Sequence, residues 1–172
     1  MSGAPAAIGR TVLLLLRVGL GTLMVVAGSS KLNDPQSFAV AIKAFGIIDP
    51  DRAGVLILGL TYLIPWLETI AGALLIVGAR TRVAASILAV LLAAFLAGLI
   101  AVLASGRDVN CPCFGAQDVF CSGPISTCHV VRNSGLIASA LVLAIAGSGW
   151  LAADRPRPRD HPRPAPTDGG GG

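Results

Sequence analysis

The sequence predicts an all-α integral membrane protein, built as an antiparallel four-helix bundle. Hydrophobic residues make up 54% of the 172-residue chain and charged residues only 13%, against roughly 25% charged residues in an average soluble domain. Four apolar runs each approach the roughly 20 residues that a helix needs to cross a bilayer. The runs are continuous rather than alternating, and leucine and alanine outnumber β-branched residues, which favours helices over strands.

The four predicted spans lie within a membrane domain of residues 1–153, at about residues 11–29, 55–77, 83–104 and 130–151. The first span contains Arg17 and the second contains Glu68. Ionisable side chains are costly in hydrocarbon, so each should face the bundle interior or reach an interface. Counted from the span ends at 1.5 Å per residue, their depths differ by about 6 Å. An Arg17–Glu68 pair is therefore within reach, and a structural role that fixes helix register is favoured over a proton relay.

The connection between the first two spans contains a short amphipathic segment. Phe38, Ile42 and Phe45 fall on one helical face, and Pro35 and Pro50 bracket the segment. This pattern predicts a short interfacial helix between helices 1 and 2 that lies along the outer leaflet and covers the mouth of the bundle.

Small residues recur along the predicted helices, where they would let neighbouring backbones approach closely in lipid. They are Ala85, Ala89, Ala93, Ala97 and Ala101 in the third span, Gly135, Ser139 and Gly147 in the fourth, and Gly19 with Ala27 in the first. We expect helix contacts along these rows.

The distribution of lysine and arginine predicts the orientation in the cell membrane. Arg10, Arg80, Arg82 and the arginines of the tail lie on one side, whereas each basic residue on the other side is matched by an aspartate. Both termini are therefore predicted to be cytoplasmic and the cysteine loop extracytoplasmic. Residues 154–172 form a tail rich in proline, arginine and glycine that should be disordered. The net charge of +4 is explained by topology signals beside anionic lipid, without a nucleic-acid partner.

All four cysteines lie in one polar loop between the third and fourth spans, NCPCFGAQDVFCSGPISTCHVVRN, residues 110–133. Disulfides persist outside the cytoplasm, and four cysteines allow three pairings. Cys111 and Cys113 flank a proline, and a bond between them would be strained and suited to exchange. Cys121 and Cys128 have the spacing of an ordinary small disulfide loop.

Cys128 has a second feature, because Ser126 or Thr127 can cap the fourth helix and place this thiol in its first turn. A helix N-terminus and a neighbouring His129 imidazolium would both favour the thiolate, which is the attacking species. By itself, His129 is more often a surface residue at a helix end, and Arg132 is more often a headgroup anchor than a substrate clamp.

Two other roles for the loop stay open at this point. One or two disulfides could simply hold an extracytoplasmic loop together in a non-enzymatic membrane scaffold or assembly factor. Alternatively, the thiolates and His129 could bind copper(I) or zinc, although the cysteine spacing lacks the paired C-x-x-C clamp of structural zinc sites. No metal site is predicted.

Four segments together resemble the MauE branch of the DoxX-like membrane proteins. They are CPCFG at residues 111–115, RN at 132–133, GSSKL at 28–32 and PWLETIAGALLIVGARTR at 65–82. The resemblance extends over about residues 10–150. It implies a four-helix membrane protein with thiol redox chemistry outside the cytoplasm. For the namesake proteins it implies a role in methylamine utilisation, supplying disulfides to the small subunit of methylamine dehydrogenase together with a thioredoxin-like partner.

Carried over by position, the resemblance indicates Cys111 and Cys113 as the redox pair. Glu68, Arg132 and Asn133 match motif positions without an assigned chemistry. The chain departs from the pattern at Pro112, where glycine is usual, and the Cys121 and Cys128 pair is not part of the motif.

The leading hypothesis is disulfide exchange through Cys111 and Cys113, with Cys121 and Cys128 as a second pair, in a component of a thiol-disulfide oxidoreductase. Whether the chain is itself an enzyme is left open. The expected partners are the lipid bilayer, a thioredoxin-like protein and a secreted client that contains disulfides. No cofactor is certain, and a quinone is considered as an electron acceptor although no quinone motif is readable.

Overall fold

The computed structural model describes residues 4–46, 50–106, 121 and 125–147. This part of the chain contains five helices and no strand: α1 (Ala4–Asn33), α2 (Pro35–Ala44), α3 (Pro50–Val77), α4 (Thr81–Ala104) and α5 (Thr127–Ala146). All but the short α2 are long and apolar enough to cross a bilayer. The all-α fold with four spans is therefore confirmed. The predicted tail, residues 154–172, lies outside the described residues.

Helices α1 and α3 approach each other closely, and glycine residues permit this contact. A Cβ atom added at Gly21 would lie 2.7 Å from the carbonyl oxygen of Gly72, and one added at Gly28 would lie 2.7 Å from that of Pro65. Side chains larger than hydrogen would force the two backbones apart at both points. Small residues therefore mediate helix packing as expected in lipid.

The prediction of which small residues make helix contacts is wrong for several positions. A Cβ atom at Gly19 or Gly135 would meet no heavy atom within 4 Å, so these glycines lie at no helix contact. In α4 the first alanines of the predicted row, Ala85 and Ala89, are buried, but the later ones are exposed. The row drifts out of the interior because an α-helix has 3.6 residues per turn, not four.

Helix α2 covers one end of the bundle, as its amphipathic pattern predicts. Asp34 caps it by accepting a hydrogen bond from the Ser37 backbone N–H at 3.1 Å, and Pro35 follows at the first helical position, where a proline loses no helical hydrogen bond. Phe38 and Ile42 are buried against Ile57 of α3. We call this end, defined by the packing of α2 on α3, the α2 end of the bundle.

Candidate functional site

A buried ion pair joins α1 to α3 near the α2 end. The Nζ atom of Lys31 lies 2.9 Å from Oε1 and 2.7 Å from Oε2 of Glu68, and the two side chains are only 5% and 9% exposed. The same ammonium group lies 5.4 Å from the ring centroid of Phe38 and 5.6 Å from that of Phe95, within cation–π range. Lys31 therefore links α1, α2, α3 and α4 through one charge.

The expected pairing of Glu68 with Arg17 is wrong, because Lys31 takes that place. Arg17 lies four residues before Gly21, and Glu68 lies four residues before Gly72. Gly21 lies opposite Gly72, and the two helices run in opposite directions. Arg17 and Glu68 therefore lie on opposite sides of this contact, about eight residues or roughly 12 Å apart along the bundle axis. The predicted first span ended at residue 29 and left Lys31 outside the membrane, whereas α1 continues to Asn33. Arg17 is buried, at 2% exposure, away from this pair.

The ion pair lines a small cavity, which we call the polar chamber. Its walls are Met24, Lys31, Glu68, Leu92, Phe95, Leu99, Arg132 and Asn133, and its volume is about 10 Å³. That volume is close to the least that holds a water molecule. Asn133 is buried and its Nδ2 donates to the carbonyl oxygen of Leu92 at 2.8 Å. This bond ties α5 to α4 beside the chamber.

Three of the four segments that carried the family resemblance meet in the polar chamber. GSSKL supplies Lys31, the segment that begins PWLET supplies Glu68, and RN supplies Arg132 and Asn133. Sequence reasoning named Glu68, Arg132 and Asn133 as separate positions. It did not single out Lys31, and it did not predict that these four residues line one cavity. The available signal was the position of these polar residues inside or beside otherwise apolar helices, where polar groups need partners.

The structure contains a disulfide between Cys121 and Cys128, with an S–S distance of 2.00 Å and a Cα–Cα distance of 6.0 Å. The spacing of these cysteines had indicated such a loop. Cys121 is buried, at 6% exposure, whereas Cys128 is exposed. Cys111 and Cys113 lie outside the described residues. Within the described residues, no group of three or more histidine, cysteine, aspartate or glutamate side chains could hold a metal ion.

His129 is a capping residue of α5 and not a surface residue. Ser126 is the N-cap, and its backbone N–H donates to Nδ1 of His129 at 3.2 Å. The His129 side chain is 1% exposed. The Oγ atom of Ser126 also lies 3.2 Å from Nδ1 of His129. The expected Ser126 cap is confirmed, whereas the expected surface position of His129 is wrong.

Ile125, which lies between the two bridged cysteines, packs onto α2 and α4. It belongs to a buried cluster with Ala41, Leu99 and Val102, against which Phe45 and Phe95 pack. The rings of Phe45 and Phe95 meet edge to face, with centroids 5.7 Å apart. Phe95 therefore touches both the cluster around Ile125 and the ammonium group of Lys31. We call these six residues the loop cluster.

The fold and the site define a multi-pass membrane protein of four spans, with a polar chamber and a disulfide loop at one end. Comparison with known proteins then gives the family. The family described as methylamine utilisation protein MauE matches residues 9–146, and the chain belongs to this family. It is 34% identical over 138 residues to the methylamine utilization protein MauE of Paracoccus denitrificans, which covers 78% of this chain and 68% of that protein. No solved structure matches the chain.

Proposed function

We propose that this protein takes part in thiol-disulfide exchange outside the cytoplasm, through Cys111 and Cys113, with Cys121 and Cys128 as the second pair. The observation that supports this proposal most is the disulfide at the start of α5. Cys128 is the second residue of that helix, where the unpaired backbone N–H groups stabilise a thiolate. A bridge with one sulfur on a thiolate-stabilising position is suited to repeated opening.

The proposed exchange moves two electrons and two protons from a client dithiol to the protein. A client thiolate attacks one sulfur of the Cys111–Cys113 disulfide, the other sulfur leaves as a thiolate, and a mixed disulfide forms. The second client thiolate then displaces the protein sulfur, so the client gains a disulfide and the pair becomes a dithiol. The dithiol is oxidised in the same way by the Cys121–Cys128 bridge. A quinone in the bilayer is the acceptor class that fits the last two-electron step.

The orientation and the partners belong to the same proposal. The distribution of lysine and arginine favours cytoplasmic termini and a cysteine loop outside, where a secreted client and a thioredoxin-like protein would meet it. The name of the relative from Paracoccus denitrificans refers to methylamine utilisation, and the small subunit of methylamine dehydrogenase is the client that the family resemblance implies.

Thiol trapping after an acid quench tests the exchange. Membranes are mixed with a reduced thioredoxin-like protein, quenched and alkylated, and the redox state of each cysteine is read by mass spectrometry. We expect Cys111 and Cys113 to become reduced within the reaction. Cys113→Ser is mixed instead with the oxidised thioredoxin-like protein, whose disulfide the Cys111 thiolate attacks, and we expect a mixed disulfide on Cys111 with one partner thiol released. Ser105→Ala, outside the cysteine loop, is the matched control. If all four cysteines stay oxidised in the presence of reductant and partner, the proposal is wrong.

A membrane scaffold with structural disulfides is the second candidate, and the packing of Ile125 in the loop cluster favours it. A bridge that only holds this loop in place would contribute to stability and not to electron transfer. The double variant Cys121→Ser with Cys128→Ser separates the two roles. A lowered protein level with unchanged client oxidation would favour the scaffold, whereas a normal level with lost client oxidation would favour exchange.

A further inference from the structure

An apolar groove lies between α1 and α5 and opens toward the bilayer. Its volume is about 380 Å³, and it is lined by six residues of α1, from Val12 to Leu23, and by Leu136 and Ser139 of α5. The Ser139 hydroxyl donates to the carbonyl oxygen of Gly135 in its own helix at 2.9 Å, so the wall requires no polar partner. The volume and the wall suit a long apolar molecule.

The groove leads along the two helices to the polar chamber. Leu23 of the groove is followed in α1 by Met24 of the chamber, and Leu136 lies one helical turn after Arg132 of the chamber. Arg132 therefore brings a positive charge to the end of the groove. Its guanidinium carries several N–H donors, which can serve a ligand oxygen in addition to contacts within the protein. This arrangement fits a molecule with a long apolar chain and a head that accepts hydrogen bonds.

The face of α5 that carries Arg132 also carries one end of the disulfide. Cys128, Arg132, Leu136 and Ser139 follow one another at intervals of four, four and three residues, and residues at this spacing share one face of a helix. Cys128 is bridged to Cys121 and lies about 6 Å along the helix axis from Arg132. A disulfide, a cation and an apolar groove therefore lie in one row.

From this row we infer that the groove binds a membrane quinone, with its isoprenoid chain between α1 and α5 and a carbonyl oxygen of its ring at Arg132. The site deepens the proposed function and rests on it for its role in electron transfer. The polar chamber, at about 10 Å³, is too small for a quinone ring, so the ring lies in the groove next to Arg132. An anionic phospholipid would use the same groove and the same cation, but the disulfide one turn away favours a ligand that accepts electrons.

A quinone in this position is the oxidant of the Cys121–Cys128 dithiol. The two thiols lose two electrons and two protons, and the S–S bond forms between their sulfurs. The quinone ring gains both electrons, and its two carbonyl oxygens take up both protons. Arg132 donates to a carbonyl oxygen that becomes more negative as the electrons arrive, so this contact strengthens during the step. The quinol leaves through the open side of the groove, where Leu15 is 67% exposed.

Photolabelling tests whether the groove holds a quinone. The full-length chain is placed in phosphatidylcholine nanodiscs, with Cys111 and Cys113 changed to serine. The probe is a quinone that carries a photoreactive azide on its isoprenoid chain, and the labelled residues are identified by mass spectrometry. We expect label on α1 between residues 12 and 23 and on α5 around Leu136, and we expect unlabelled quinone to displace the probe.

The sharpest variant is Gly19→Leu, which fills the groove from a position where a Cβ atom meets no heavy atom within 4 Å. It should lower the labelling at least about tenfold. Gly59→Leu makes the same change in α3, where a Cβ atom also meets nothing within 4 Å, and is the matched control. Arg132→Met removes a charged hydrogen-bond donor and should weaken quinone binding on the order of tenfold. Arg132→Lys keeps the charge and should bind more tightly than Arg132→Met.

Equal labelling of Gly19→Leu and Gly59→Leu would overturn the inference. Displacement of the probe by phosphatidylglycerol and not by unlabelled quinone would also overturn it, because the groove would then hold a phospholipid. If Arg132→Met fails to fold, Gly19→Leu decides.

The labelling needs neither a client nor Cys111 and Cys113, so its result is independent of the proposed exchange. A labelled groove in a chain that never oxidises a client would sink the proposed function and leave the quinone site standing. Client oxidation by a chain whose groove takes no label would do the reverse.

Discussion

Helices α1 and α3 touch in two regions that are stabilised by different means. At Gly21 and Gly72 the backbones meet directly, with no side chain between them. At Lys31 and Glu68, farther along the same two helices, a buried charge pair makes the contact. The glycine contact requires only that no side chain keeps the two backbones apart. The charge pair requires both Lys31 and Glu68, because either charge alone would be buried without a partner. In lipid, where hydrophobic drive between helices is weak, the first arrangement is the less demanding.

A bundle in lipid can be packed with small residues alone, so the buried Lys31–Glu68 pair needs another explanation. Buried ionisable groups in a membrane are expensive and mark functional positions. The pair lies at the end that also holds α2, Asn133 and the disulfide loop. Lys31, Glu68 and Asn133 therefore lie at the end of the bundle that carries the Cys121–Cys128 bridge.

The largest expected effect comes from removing one half of the ion pair. Lys31→Met leaves Glu68 as a buried charge without its partner, and breaking such a pair costs about 3–5 kcal/mol. Thermal unfolding in nanodiscs, followed by circular dichroism, measures the loss. The double variant Lys31→Met with Glu68→Leu replaces both charges with apolar groups and should recover most of it. A double variant less stable than Lys31→Met would show that the pair is not the interaction being measured.

The glycine contact is tested by adding a single methyl group. Gly21→Ala places a Cβ atom 2.7 Å from the Gly72 carbonyl oxygen, and forcing such overpacking typically costs about 1–3 kcal/mol. Gly19→Ala, two residues away on the same helix, adds its methyl group in open space and should not destabilise the protein. The comparison uses the same unfolding measurement. Equal stability of the two variants would contradict the close packing of α1 on α3.

A smaller effect is expected at the cap of α5. His129→Ala removes the acceptor of the Ser126 N–H and should cost about 1 kcal/mol, as loss of an N-terminal cap usually does. Glutamine at this position can reach back to the same N–H in a capping box, so His129→Gln should retain much of the stability. Hydrogen exchange at the Ser126 amide reports the bond directly. If glutamine destabilises as much as alanine, histidine has a role beyond capping.

Much of the architecture was predictable because a bilayer restricts the chain so strongly. Continuous apolar runs must be helices in hydrocarbon, and the amphipathic pattern of Phe38 and Ile42 indicated a covering helix. The cysteine spacing pointed to a Cys121–Cys128 loop. Each of these features depends on composition or on neighbours in the sequence.

The polar chamber was not predictable in the same way, because it depends on helix register. Glu68 was recognised as costly, but its partner was chosen by counting depth from predicted span ends. The predicted first span ended at Ser29, four residues before the end of α1 at Asn33. Lys31 was therefore placed outside the membrane and not considered as a partner of Glu68. The register is set by the contacts of Gly21 and Gly28, which no periodic pattern distinguishes from Gly19.

The smallest expected effect concerns Asp34, the exposed residue that caps the start of α2. Hydrogen bonds from the Ser37 side chain and backbone lower the pKa of Asp34 below its ordinary value. A carboxyl group with a lowered folded-state pKa stabilises the folded protein above its unfolded pKa, and this contribution is lost as the pH falls through the folded value. Asp34 is exposed, so the effect should be slight and confined to acid. Asp34→Asn keeps a capping oxygen but cannot titrate, so it should remove the acid dependence of fraying at the start of α2 while α2 stays packed. An unchanged pH profile of amide exchange at Ser37 would show that Asp34 does not control this helix end.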